Sequence, residues 1–121
     1  MSRTVFEKII SAIRPFGFPY APDIYDGRSE HYFTYNYADN RAGLHGDDSP
    51  ETVIAYMQIH LFMPRDEDFI KIKNAVRKAL HIQGFTYPEV TISLENDTNK
   101  RHIIFECEIE EEMEDIELWH M

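Results

Sequence analysis

Tyr32-Phe33-Thr34-Tyr35-Asn36-Tyr37, then the loop-like residues 38–50, then Thr52-Val53-Ile54-Ala55-Tyr56-Met57-Gln58-Ile59-His60-Leu61-Phe62-Met63 form the stretch that decides the fold. The first run reads as a strand over 32–37, and the last as a second strand over about 52–63. Odd positions of the second strand (Val53, Ala55, Met57, Ile59, Leu61, Met63) are all apolar, while even positions mix Ile54, Tyr56 and Phe62 with Gln58 and His60. Alternation with period two puts one set on a core face and the other on the opposite face. A strand of this length spans roughly 40 Å at ~3.3 Å per residue, against about 5–6 residues for a typical strand. Surface that outruns a small sheet needs a cover, and another copy of the chain or a partner is the simplest one.

The flanking segments complete an α+β pattern. Thr4-Val5-Phe6-Glu7 fits a capping box, with Phe6, Ile9, Ile10 and Ile13 at helical spacing behind it and Arg14-Pro15 as the stop. Residues 15–31 interleave Pro15, Gly17, Pro19, Pro22 and Gly27 with aromatic side chains, which predicts an irregular extended piece packed on the domain. After Met63-Pro64, the acids Asp66, Glu67 and Asp68 suit a helix start. Phe69, Ile72, Val76, Ala79 and Leu80 trace one helical face, and Gly84 is the expected left-handed cap. Val90, Ile92 and Leu94 mark a third strand, Asn96-Asp97-Thr98-Asn99 a turn, and Ile103, Phe105, Cys107 and Ile109 a fourth strand. The expected fold is α+β: a mainly antiparallel four-stranded sheet with two helices on one face, in the order α-β-β-α-β-β. Ile54, Tyr56, Phe62 and Ile104 fall on the other face. They are either an exposed contact patch or are covered by the 15–31 segment.

The chain has 121 residues and a formal net charge of −10, enough for one domain with a sizeable core. Residues 106–121 carry eight acids and no Lys or Arg, whereas the remainder carries 14 acids against 12 bases. The expectation is a domain over 1–110 and an acidic C-terminal tail over 111–121. Such a charge distribution disfavours nonspecific nucleic-acid binding. No apolar run approaches a membrane span, the N-terminus lacks the shape of a signal peptide, and one cysteine permits no internal disulfide. These features predict a chain assembled in the cytosol.

Signs of catalysis are few. The six histidines form no metal-binding pair by spacing. His45 with Asp47 and Asp48 is the best local cluster, without the ligand spacing of a calcium loop. Cys107 lies between Phe105 and Ile109 on the core side, where a thiol packs as a small apolar group. Nucleophile-elbow, phosphate-loop and dinucleotide motifs are missing from the sequence. No enzyme activity, metal or cofactor is expected. Loop 38–50 is long for a compact domain, and long unstructured loops are commonly functional.

Several segments together resemble the small tail-component, or tail-terminator, proteins of long-tailed bacteriophages and Gram-positive prophages. They are Tyr32 to Asp39, Gly46-Asp47-Asp48-Ser49-Pro50, Gln58-Ile59-His60-Leu61-Phe62-Met63-Pro64, Arg77 to Leu80, Gly84-Phe85-Thr86-Tyr87-Pro88 and Lys100 to Cys107. The resemblance covers about residues 6–110 and excludes the acidic end. It implies a virion protein of the tail, assembled in the bacterial host cytoplasm. It further implies a ring, hexameric when assembled, that caps the tail tube and meets both the tail-tube protein and the head-connector protein. Membrane and sequence-specific nucleic-acid binding have no place in that role. Asn36, Asp39, Arg41, Asp47 and Asp48 are the expected subunit or tube contacts, with Tyr56 and Phe62 as apolar candidates. The competing expectation is an acidic DNA mimic that occupies a host nucleic-acid enzyme; a small enzyme is the third.

Overall fold

The computed structural model describes residues 3–42 and 52–112. Helix α1 (Val5–Ile13) runs into a single 3-10 turn at Arg14–Phe16. Then come strands β1 (Tyr20–Pro22), β2 (Tyr32–Ala42) and β3 (Thr52–Pro64), helix α2 (Ile70–Ile82), and strands β4 (Glu89–Leu94) and β5 (Lys100–Glu112). The strands form one sheet in the order β1-β2-β3-β5-β4. Both helices pack on one side of it, and α1 touches α2.

Local chemistry sets the element ends. The Thr4 hydroxyl accepts from the Glu7 backbone N–H at 3.2 Å, and the Glu7 carboxylate accepts from the Thr4 N–H at 2.7 Å, so the capping box closes as expected. Gly17 ends the 3-10 turn in a left-handed conformation (φ 82°). Helix α2 begins later than its acidic run suggests: the Asp68 carboxylate accepts from the Ile70 N–H at 2.9 Å. Gly84 follows it with φ 108°, the positive value that its capping role requires.

The core lies between the helices and the sheet. Val5, Ile9 and Ile13 of α1 and Val76 and Leu80 of α2 meet Phe33, Ala55, Met57, Ile59, Leu61, Met63, Ile103, Phe105 and Cys107. Every odd position of β3 from Ala55 to Met63 is buried, so the alternation of that strand is read correctly from sequence.

Three expectations need correction. The sheet has five strands and is mixed, because β1 pairs in parallel with β2 (Tyr20 opposite Phe33, Pro22 opposite Tyr35). A proline-bounded three-residue segment gives no strand signal of its own; the β2 edge supplies its hydrogen-bond partners. The element order is therefore α-β-β-β-α-β-β. Second, β2 does not stop at Tyr37. It pairs with β3 through Ala42 opposite Val53, after a register shift between Tyr37 and Asp39. The polar Asp39-Asn40-Arg41 run resembles a loop in sequence, yet it is strand because β3 is long enough to pair with it. Third, β5 continues to Glu112 opposite Thr52, beyond the boundary expected at residue 110.

Candidate interaction surface

The register shift at Ala38 is a β-bulge. An extra residue in one strand reverses the inward–outward parity of everything after it. Asn36, at an even position, lies opposite Gln58, and Asp39 and Arg41, at odd positions, lie opposite Tyr56 and Ile54. Asn36, Asp39, Arg41, Tyr56 and Phe62 consequently share the sheet face that the helices leave free. Without the bulge, Asp39 and Arg41 would point to the helical side. Asp47 and Asp48, and the His45 cluster, lie outside the described residues.

One half of this face is a row of stacked rings. Tyr25 stacks on Tyr32 (centroids 4.5 Å apart), Tyr32 on Phe62 (4.7 Å) and Phe62 on His102 (4.2 Å). Tyr32, Phe62 and His102 are direct cross-strand neighbours on β2, β3 and β5, so the sheet geometry itself aligns them. The Lys100 ammonium sits 5.4 Å from the centre of the Tyr32 ring. Tyr25 is the part of the 15–31 segment that covers the face. It folds back over Gly27, where a Cβ would collide with the tyrosine ring, and its hydroxyl accepts from the Ser29 N–H at 3.1 Å. The cover extends no further than that corner: Ile24 is exposed, and Phe62, Tyr56, Ile54 and Ile104 are only half-buried.

A polar chain crosses the middle. Glu106 accepts from Gln58 Nε2 at 3.1 Å, Gln58 Oε1 from Asn36 Nδ2 at 3.4 Å, and Asn36 Oδ1 lies 3.1 Å from His60 Nε2. His60 Nδ1 is 2.8 Å from His102 Nε2, and His102 Nδ1 is 3.2 Å from a Glu95 carboxylate oxygen. Asn36 Nδ2 also donates to the Tyr37 carbonyl at 3.2 Å, which fixes the orientation of its amide. The chain therefore ends in a carboxylate acceptor on both sides, and the direction of donation must reverse once. Either ring in its doubly protonated form can donate both ways, and the Glu95 carboxylate beside His102 favours the proton there. With both rings neutral, one of the three contacts along Asn36–His60–His102–Glu95 lacks its hydrogen. Burial opposes that proton: it holds both His60 and His102 below the ordinary imidazole value. The His102 charge depresses His60 further, and Glu95 pulls His102 the other way. The two rings titrate as a pair.

The other half of the face is polar and acidic. Arg41 pairs with Asp39, which holds that carboxyl below the usual range, and the Arg41 guanidinium sits 5.4 Å from the centre of the Tyr56 ring. Beyond them Glu106, Glu108 and Glu110 project from β5 on the same side. Glu89 of β4 lies directly opposite Glu106, an unfavourable like-charge cross-strand pair.

In chemical terms the face offers ring stacking, carboxylates and a chain of hydrogen-bonding side chains. A shallow hollow lies past the end of β3, lined by Glu30, Pro64, Arg65, Asp66, Thr98, Asn99 and Lys100, and it contains neither histidine nor cysteine. Burial pushes the Cys107 thiol up to about 12. Among the described residues, no three His, Cys, Asp or Glu side chains converge to hold a metal ion, and no helix is long and apolar enough to cross a membrane.

Period-two alternation places both His60 and His102 opposite the core face of their strands, but their pairing is not legible in sequence because it depends on the β3–β5 register. Two histidines at even positions of adjacent strands were the available signal. No family model matches the chain, and a search of curated proteins finds no match either.

Proposed function

We propose that this protein is a non-catalytic assembly protein of a long-tailed phage or prophage, a ring-forming cap on the tail tube that contributes to the head–tail interface. The observation that carries the reading is the helix-free sheet face, where Asn36, Asp39, Arg41, Tyr56 and Phe62 lie together. Half-buried Tyr56, Phe62, Ile54 and Ile104 beside fixed polar groups make a rigid, partly apolar platform suited to another protein. The resemblance of residues 6–110 to tail-terminator proteins supplies the biological setting. A closed ring needs two different contact surfaces on each subunit, and a two-layer domain with one layer of helices and one bare sheet face supplies them. Acidic residues on the sheet suit a protein beside a DNA passage, since carboxylates do not hold phosphate.

The test is deletion of the coding sequence in the phage that carries it, with tail lengths measured by electron microscopy. Loss of the cap gives tubes of uncontrolled length and heads without tails. Normal virions without the protein would refute the reading.

A second reading has one observation in its favour. Glu106, Glu108 and Glu110 stand on one face of a rigid strand, roughly 7 Å apart, as the charges of a DNA mimic would. That reading is supported if the purified chain displaces DNA from a host nucleic-acid enzyme while its deletion leaves tails intact.

A further inference from the structure

The two faces of the domain differ in charge in a way that names a partner. Between Ile70 and Ile82, helix α2 contains Lys71, Lys73, Arg77 and Lys78 and no acid. Arg77 is engaged, donating to the Pro88 carbonyl at 2.7 Å and sitting over Tyr87. Lys71 and Lys78 are exposed on the outer stripe of the helix, in line with Ala75 and Ile82. Ile82 is 70% and Ile70 54% exposed, unusual for isoleucines on a helix whose inner face is already packed. The acidic half of the sheet face is the counterpart: Ile54, Tyr56 and Ile104 half-buried, flanked by Glu106, Glu108 and Glu110 and by the like-charged Glu89–Glu106 cross-strand pair.

We propose that the outer stripe of α2 in one copy docks on the acidic half of the free sheet face of a second copy. Lys71 and Lys78 would meet the β5 carboxylates, and Ala75 and Ile82 would cover Tyr56 and Ile104. The spacing is compatible: Lys71 and Lys78 are about 10 Å apart along the helix, and Glu106 and Glu110 about 13 Å apart along the strand. The contact is heterologous, joining a helical layer to a sheet layer, and repeats of it close into a ring or run on as a filament. Lysines facing the Glu89–Glu106 pair would offset the like charge that the two strands place side by side. The proposal rests on the self-assembling role above and specifies its subunit contact.

Two double variants test it, K71E/K78E and E106K/E110K, each made in the full chain. All four side chains are solvent-facing, so both variants should keep the thermal unfolding cooperativity of the wild type. Sedimentation equilibrium over a concentration series reads association. Each variant alone should associate roughly tenfold or more weakly than the wild type, and an equimolar mixture should recover association, because its opposed faces again carry opposite charge. Wild-type-like association in both variants would overturn this contact while leaving a ring built some other way. Absence of association in the wild type and in the mixture would also overturn it, and the tail-length experiment would still decide the capping role separately.

Discussion

Replacing Phe62 by alanine probes whether the free face is a built platform or an incidental surface. Phe62 lies between Tyr32 and His102, with ring planes 19° apart in both pairs. Each stacked pair contributes about 0.5–1.5 kcal/mol beyond area burial. Removing a half-buried phenylalanine adds about 1 kcal/mol of lost apolar burial, half the value for a fully buried side chain. The expected destabilisation is about 2–4 kcal/mol, which lowers Tm by roughly 8–16 °C in a domain of this size. Urea unfolding reads it as a lower midpoint at unchanged slope, since the native fold is retained. Phe62→Leu retains most of the apolar area and loses the stacking, so about half of the effect should remain. A cycle with Tyr32→Ala should show coupling of about 1 kcal/mol. A cost below about 0.5 kcal/mol for Phe62→Ala, the level of an ordinary surface substitution, would refute the view that these rings form an ordered row.

Other outcomes follow from the same geometry. His60 and His102 are both held below the ordinary imidazole value, so the unfolded chain binds more protons than the folded one once the pH drops below about 6.5. Their contribution to stability is present above about pH 6.5 and is lost as the pH falls through their folded values. Urea midpoints compared across that range should fall with acid in the wild type and fall less in a His60→Gln/His102→Gln variant; equal slopes would contradict the paired-ring account. Cys107, buried with its thiol pushed up to about 12, should react with a disulfide reagent only as fast as the domain opens, so a rate insensitive to urea would place it at the surface. Thr4→Ala breaks the capping box and should cost about 1 kcal/mol of stability, measured by thermal unfolding.

Much of the fold was legible because periodicity carries it. The β3 alternation, the α1 cap and stripe, Gly84 and the β4–β5 turn all depend on local spacing, and each lies where the residues direct it. What was not legible depends on pairing across the chain. Tyr20–Pro22 becomes a strand only because β2 offers a free edge, and Asp39-Asn40-Arg41 only because β3 extends past them. The bulge at Ala38 has no residue signature of its own, yet it decides that Asp39 and Arg41 join Asn36 on one face. The His60–His102 contact likewise follows from a register that no single strand encodes. That Asn36, Asp39, Arg41, Tyr56 and Phe62 share one surface is a property of the sheet.

Electron cryomicroscopy of tail ends from particles released by the host that carries the gene tests the proposed tail-capping role most directly. The account predicts a closed ring of copies at the head-proximal end of the tube, with the β3–β5 face bearing Tyr56, Ile104 and Glu106 buried against a neighbouring copy. A tail end that lacks the chain, or a ring whose free sheet faces all point to solvent, would contradict it.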